Sequence, residues 1–254
     1  MTLPNKDKEQ HFLVNVEILD KEIDEANISK EDKIIEIGAG DGKLTRELIK
    51  KAGWVLAFEI DTRFEKNLKK IQEEAGNLEV SYSSALDSSW NGFNKIVSNI
   101  PYSLSGVILE KAISDNIEEL TLIVGENFKE TLESQEKIGL IANLFFNIEF
   151  INKVDKNSFF PEPRVNSWLI KLKRKKGSKQ DKINNKILRN ILLSKRTIKN
   201  AIVYSFVEEG FTKNDARKFI LENKFDNNAI NKSVKNITGK IIQKLEVDLE
   251  NLKL

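Results

Sequence analysis

The chain has 254 residues, 40% hydrophobic and 31% charged, with a formal net charge of +2, which describes one large globular domain or a domain with an appendage. It has no cysteine and one histidine, His11; this excludes disulfides, thiolate catalysis and Cys-type zinc sites, and argues against a His-rich metal site or a Ser-His-Asp triad. No apolar run approaches the roughly 18 residues that span a bilayer, and Met1-Thr2-Leu3-Pro4-Asn5-Lys6 lacks the apolar core of a secretory signal, so the expectation is a cytoplasmic protein with no metal and no membrane partner.

Residues 1–12 are polar and turn apolar at Phe12-Leu13-Val14; a rough helical stripe follows from Val14 to Ala26. Lys33 to Ile37 reads as a strand and runs into Gly38-Ala39-Gly40-Asp41-Gly42. A helix from Arg46 to Ala52 ends at Gly53, and a nearly all-apolar strand, Trp54 to Asp61, comes next. Strand, glycine turn, helix and strand within about 30 residues make a βαβ unit with a parallel sheet. The glycines allow positive φ and let a ligand lie on bare backbone. Glu59 stands 21 residues after Gly38 at a strand end, where a carboxylate can accept from both ribose hydroxyls. Together these indicate an adenosine-bearing cofactor and, by themselves, leave a nicotinamide cofactor open.

A charged amphipathic helix, Thr62 to Ala75, leads to a third strand at Leu78–Tyr82 and a loop, Ser83 to Asp87. The fourth strand, Phe93 to Val97, runs into Ser98-Asn99-Ile100-Pro101-Tyr102. Pro101 fixes its own φ and holds Ile100 extended. Asn99 is thereby placed at the carboxyl edge of a sheet, where open α/β folds bind ligands. The Asn99 side-chain oxygen and the Ile100 carbonyl can both accept from an exocyclic NH2, and Tyr102 offers a face for a base. Beyond this lie a helix at Ser105–Ser114, a strand at Leu120–Val124, a helix from Phe128 to about Glu133, an apolar stretch from Leu140 to Phe150 readable as helix or strand, and a last strand from Val165 to Leu172. In Phe159-Phe160-Pro161-Glu162-Pro163-Arg164, either phenylalanine is a candidate to close a base sandwich opposite Tyr102.

Charge is unevenly distributed. Lys171 to Lys199 holds twelve Lys or Arg and one acid, Asp181, so this window carries +11 and the rest of the chain −9. Segregation of this size points to a polyanion, here nucleic acid. Gly177 to Asp181 reads as a polar linker between domains 1–176 and 182–254. The second part is helical: Ile183, Ile187, Leu188, Ile191 and Leu192 recur at helical spacing, with later breaks at Gly210, near Asn227-Asn228 and at Gly239.

Six motifs occur in order: Gln10-His11-Phe12-Leu13; Glu36 to Thr45; Glu59-Ile60-Asp61; Asn99-Ile100-Pro101-Tyr102; Phe159 to Ser167; and Lys195-Arg196-Thr197-Ile198-Lys199-Asn200. Over residues 8–205 the chain resembles the ribosomal RNA adenine N6,N6-dimethyltransferases, most of all the small-subunit type linked to kasugamycin sensitivity. The resemblance implies a class I methyltransferase (Rossmann-like) α/β fold with a mostly parallel sheet and a small all-α C-terminal domain. It implies S-adenosyl-L-methionine as donor and N6,N6-dimethylation of two adjacent adenines near the 3′ end of small-subunit ribosomal RNA.

By position, the resemblance places His11 and Leu13 at the methionine end of the donor, Gly38 and Gly40 beneath it, and Glu59 on its ribose. It places Asn99 and Tyr102 on the target adenine, with Phe159 stacked on it; Ile100 joins these as a catalytic candidate through its carbonyl, and Asn99 and Ser84 are counted among the donor's contacts as well. Where the family has Gly-Asp for the donor's adenine, this chain has Ser83-Ser84, with Asp87 three residues on; where the family has Gln-x-Glu after strand five, it has Gly125-Glu126-Asn127. The implied partners are small-subunit ribosomal RNA and the pre-small ribosomal subunit, met by a monomer. Rival readings are a small-subunit assembly factor with weak or lost methylation, a large-subunit RNA adenine methyltransferase, and a DNA adenine methyltransferase.

Overall fold

A computed structural model describes residues 10–176 and 179–252, with only the backbone of 179–182. The chain forms two compact units: 1–131 with 146–174, and 132–145 with 175–254. The second is thus discontinuous in sequence and takes in 132–145, which a single boundary after residue 176 leaves out. Of the expected linker, Gly177 and Ser178 lie outside the described residues, and a helix already begins at Lys179.

The first unit opens with β1 (Phe12–Leu13) and α1 (Val16–Glu25), whose N-cap Asn15 accepts from the Ile18 amide at 3.3 Å. Then come β2 (Lys33–Ile37), α2 (Lys43–Lys51), β3 (Trp54–Phe58), α3 (Glu65–Glu74), β4 (Leu78–Ser81), β5 (Lys95–Asn99), α4 (Ser105–Ser114), β6 (Glu119–Gly125) and α5 (Glu126–Glu133). After α6 (Lys137–Phe145), which belongs to the second unit, the chain returns as β7 (Phe146–Val154), β8 (Phe159–Phe160) and β9 (Ser167–Arg174). The ambiguous stretch from Leu140 to Phe150 is therefore both: it ends one helix and begins one strand with no residue between.

Seven strands form one sheet in the order β4-β3-β2-β5-β6-β9-β7. The first five are mutually parallel, and β9 runs antiparallel to both β6 and β7. Strands covered on both faces read as continuous apolar runs; β6 is buried along its whole length. One core cluster gathers Ile34, Leu48, Val55, Leu68, Ile71 and Val97 between sheet and helices; a second holds Ile123, Val154, Phe159 and Leu169. At the amino ends of the strands, Lys95 pairs with Asp32 at 3.1 Å and Glu119 at 3.7 Å, and Lys171 pairs with Glu119 at 3.4 Å.

The second unit also contains α7 (Lys179–Leu192), α8 (Ile198–Glu208), α9 (Lys213–Glu222), α10 (Asn227–Ile230) and α11 (Gly239–Glu250). Ile187, Leu188, Ile191 and Leu192 are buried, as their spacing requires. A capping box at Thr212 and Asp215 starts α9. At Gly239 a β-carbon would come within 2.9 Å of Leu140, so a bare backbone lets α11 lie close to α6.

Candidate active site

The sheet changes direction of growth between β2 and β5, the switch point where open α/β sheets bind ligands. Ladder pairing between these strands covers only Ile34↔Lys95 and Ile35↔Ile96. Beyond it the Ser98 hydroxyl takes over, donating to the Ile37 carbonyl at 2.7 Å and accepting from the Ile37 amide at 3.1 Å. The strand ends are thus held together but spread by a side chain, and a cavity opens above them. Its wall includes Gln10, His11, Phe12 and Leu13, the Gly38–Asp41 turn, Glu59, Ser83 and Ser84, and Asn99 to Tyr102. Sequence reasoning set Ser98 at the head of the turn after Val97 and gave it no role; the structure keeps it inside β5, and its signal was a lone hydroxyl between an apolar strand and the Asn99 corner.

Gly38 has φ +83°, and a β-carbon there would meet nothing within 4 Å, so the turn presents open backbone to the cavity. At Gly40, φ is +53° and a β-carbon would stand 2.8 Å from the Phe12 ring, which lies on that bare backbone. Glu59 is 5% exposed and closes the far side of the turn. One of its oxygens accepts from the Gly40 amide and the other from the Asp61 amide, each at 2.7 Å. Asp61 in turn accepts from Gln10 at 2.8 Å and pairs with Arg63 at 2.5 Å, fastening the segment before β1 to the end of β3.

The Asn99 side chain donates through Nδ2 to the His11 carbonyl at 3.3 Å, which turns its oxygen away from that contact. The His11 ring lies near-parallel to Tyr102, with centroids 6.1 Å apart and 21° between planes, and its Nδ1 donates to the Pro161 carbonyl at 2.7 Å. Tyr102 rests on Gly125, where a β-carbon would stand 3.0 Å from the ring, and its hydroxyl meets that of Ser167. The Gly125 departure therefore makes a seat for Tyr102. Ile100 buries its side chain and contributes to the wall.

His11, Leu13, Gly38, Gly40, Glu59, Ser84, Asn99, Ile100 and Tyr102 all line this one cavity; Phe159 does not. Phe159 is 2% exposed and packs against Ile123, Val154 and Leu169, whereas Phe160 is 57% exposed. The reason is strand alternation: β8 pairs with β1 in the register Leu13↔Phe159 and Phe12↔Phe160, so neighbouring phenylalanines face opposite ways. At the β4 corner, Ser84 caps a short turn by accepting from the Leu86 amide at 3.2 Å. Asp87 is exposed and does not line the cavity.

Two acids that sequence reasoning missed also reach the wall, Glu22 of α1 and Glu36 of β2. Both are buried, at 0% and 1% exposure. Burial pushes both carboxyls up to about 8; Glu36 repulsion adds to this for Glu22, while for Glu36 a hydrogen bond from the Thr45 hydroxyl at 2.6 Å works against it. Their signal was an acid on the buried stripe of a helix and another inside an apolar strand.

The basic segment divides. Lys171 is buried, donating to the Glu25 carbonyl at 2.6 Å, and Arg174 donates to the Ile117 carbonyl at 2.7 Å while lying over Phe146. These two support the fold rather than offer charge to a phosphate. In the second unit Lys195, Arg196 and Lys199 are exposed, and the Arg196 guanidinium stands 4.0 Å from the centroid of the Tyr204 ring, itself 40% exposed. The side chains of Lys179 and Lys182 lie outside the described residues.

Among the described residues no helix is long and apolar enough to cross a membrane, and no group of acids and histidines could hold a metal ion. A sequence model of the family described as "Ribosomal RNA adenine dimethylase" matches residues 1–243. A Methanococcus maripaludis protein described as a probable ribosomal RNA small subunit methyltransferase A is 34% identical over 225 residues, covering 84% of this chain and 85% of its own. A Thermococcus sibiricus protein of the same description is 30% identical, covering 85% and 81%. Among solved structures, a dimethyladenosine transferase from Plasmodium falciparum superposes with TM-score 0.66 at 25% identity, covering 95% of this chain and 98% of that one. The 23S rRNA methyltransferase ErmE shares the fold, with TM-score 0.62 at 21% identity and coverage of 94% and 99%. With strand order, glycine turn and Asn-Ile-Pro-Tyr corner meeting at one cavity, the chain belongs to the ribosomal RNA adenine dimethylase family and is a methyltransferase.

Proposed function

We propose that the protein transfers methyl groups from S-adenosylmethionine to N6 of adjacent adenines near the 3′ end of small-subunit ribosomal RNA, acting on the pre-small subunit. The observation that carries this reading is that Gly38, Glu59 and Asn99 line one cavity at the switch point. The residues suit the donor: open backbone at Gly38, a buried carboxylate at Glu59 for ribose hydroxyls, and unpartnered carboxyl oxygens at Glu22. When bound, S-adenosylmethionine supplies an electrophilic methyl on a sulfonium.

The protein's part is to make a poor nucleophile attack. Adenine N6 shares its lone pair with the ring. The Asn99 oxygen, freed by the amide's bond to His11, and the Ile100 carbonyl would accept both amine hydrogens and favour a pyramidal amine with its lone pair outward. Tyr102, held by Gly125 and Ser167, would carry the base on its face. Exposed Phe160 is better placed than buried Phe159 to approach an extruded base. Holding N6 about 3–3.5 Å from the methyl, in line, would supply much of the acceleration. So held, N6 would take the methyl that the donor supplies, the donor departing as its neutral thioether and the surplus amine proton passing to water. Lys195, Arg196, Lys199 and Tyr204 supply an RNA-gripping surface in the second unit.

Tritium transfer from labelled S-adenosylmethionine to purified small subunits, large subunits and DNA tests this reading. Label is expected in small-subunit RNA as dimethyladenosine; label confined to another acceptor, or to none, overturns it.

A further inference from the structure

Glu22 takes no part in the methyl transfer itself, yet it lines the same cavity. It is fully buried, and neither carboxyl oxygen has a hydrogen-bond partner. A buried carboxyl left unsatisfied is a standing penalty that an isoleucine or leucine on the α1 stripe would avoid. Behind it stands Glu36, whose Oε2 is held by Thr45. Two carboxyls facing one enclosed space attract a cation. In the donor reading, Glu59 takes the ribose, Ser84 lies at the adenine corner and Asn99 at the methyl end. The amino-acid end is left for the region beside the glycine turn and β1.

We propose that Glu22, backed by Glu36, receives the α-ammonium of S-adenosylmethionine and thereby selects the intact donor over analogues without its amino-acid end. This rests on the reading of the cavity as the donor site.

Without a cation both carboxyls are held neutral by burial, so arrival of an ammonium would ionise one of them and expel about one proton near pH 7. The other titratable groups on the cavity wall are His11, Asp41, Lys43, Glu59 and Tyr102; Lys43 pairs with Asp41 at 3.7 Å. Of the elements packed on α1, α2 sends Lys51 to Asp24 at 3.1 Å, and β6 has Glu119 paired with Lys171 and Lys95. None of these cations answers Glu22.

Calorimetry at pH 7 in two buffers of different ionisation enthalpy tests the proposal, with S-adenosylmethionine and with 5′-methylthioadenosine, which lacks the amino-acid end. For the wild-type chain, S-adenosylmethionine should bind with release of about one proton and methylthioadenosine with none. Glu22→Gln should weaken S-adenosylmethionine about tenfold or more, as loss of a charge-assisted bond does, reduce the proton release, and leave methylthioadenosine within about twofold. Glu22→Leu should behave alike and carries the test if the glutamine variant misfolds. Equal weakening of both ligands, or unchanged binding of S-adenosylmethionine by the variants, overturns the role of Glu22 alone. Failure of the wild-type chain to bind either ligand overturns the donor reading, and this proposal with it.

Discussion

The side-chain amide of Asn99 donates to the main-chain carbonyl of His11 at 3.3 Å across 88 residues of sequence. That bond sets which end of the amide faces the cavity, and an oxygen is what an amine requires. Asn99→Ala should therefore lower single-turnover methyl transfer by about a thousandfold, in the range of losing a preorganised charge-stabilising group. Donor affinity, measured by calorimetry, should stay within a few fold. Near wild-type turnover would remove the mechanism.

Glu59 satisfies two backbone amides at once, those of Gly40 and Asp61. Glu59→Ala leaves both without that acceptor, and each buried unsatisfied donor costs about 1–3 kcal/mol. The variant should unfold at clearly lower denaturant and lose donor affinity. Glu59→Gln keeps one good acceptor and should fall between the two in both denaturation and calorimetry.

Gly125 leaves room for the Tyr102 ring, which a β-carbon would approach to 3.0 Å. Gly125→Ala should displace the ring, raising KM for RNA or lowering kcat severalfold with donor affinity unchanged. Steady-state kinetics varying each substrate separately would show the split; an equal loss on the donor side would count against Tyr102 as the base platform.

Glu22 and Glu36 titrate near 8 in the fold because they are buried, against an ordinary 4.5. Above pH 4.5 the unfolded chain sheds protons that the folded chain keeps. Stability from the neutral forms is therefore complete below about 4.5 and lost as pH rises through about 8, with a slope of about 1.4 kcal/mol per pH unit for each group. Urea denaturation at pH 5, 6.5 and 8 should show this decline, and Glu22→Gln should flatten it by one group's share.

Lys195, Arg196 and Lys199 are exposed together with Tyr204. Replacing all three cations by alanine should weaken RNA binding and reduce the log–log salt slope by about 2–3, given a slope of about 0.7–0.9 per phosphate neutralised. Filter binding from 50 to 300 mM salt measures it, and an unchanged slope would place the phosphate contacts elsewhere.

The glycine turn and the Asn99 corner were legible because each is written locally: strand periodicity, then residues with strong backbone preferences. What escaped was set by distant pairing. Two-residue strands at Phe12 and Phe160 have no period to detect, yet their register decides that Phe159 goes inward. Lys171 and Arg174 counted as free charge until carbonyls at Glu25 and Ile117 claimed them. The passage from α6 to β7 has no glycine or proline, so nothing in the string marks where the helix ends. Glu22 sat on a helical stripe as one polar exception, and only the packed fold shows what surrounds it.

The clip between β1 and β8 is reinforced by the Val14 amide donating to the Ser158 carbonyl at 2.8 Å. It makes one piece of chain the lid over the glycine turn and the hinge leaf of the Phe-Phe-Pro corner. Paired residues of the ladder share a face, so Phe12, seated on Gly40, and exposed Phe160 stand on one side of the ribbon while Leu13 and Phe159 turn to the other. A group that shifts Phe160 would therefore pull, through the same short ladder, on the ring that covers Gly40.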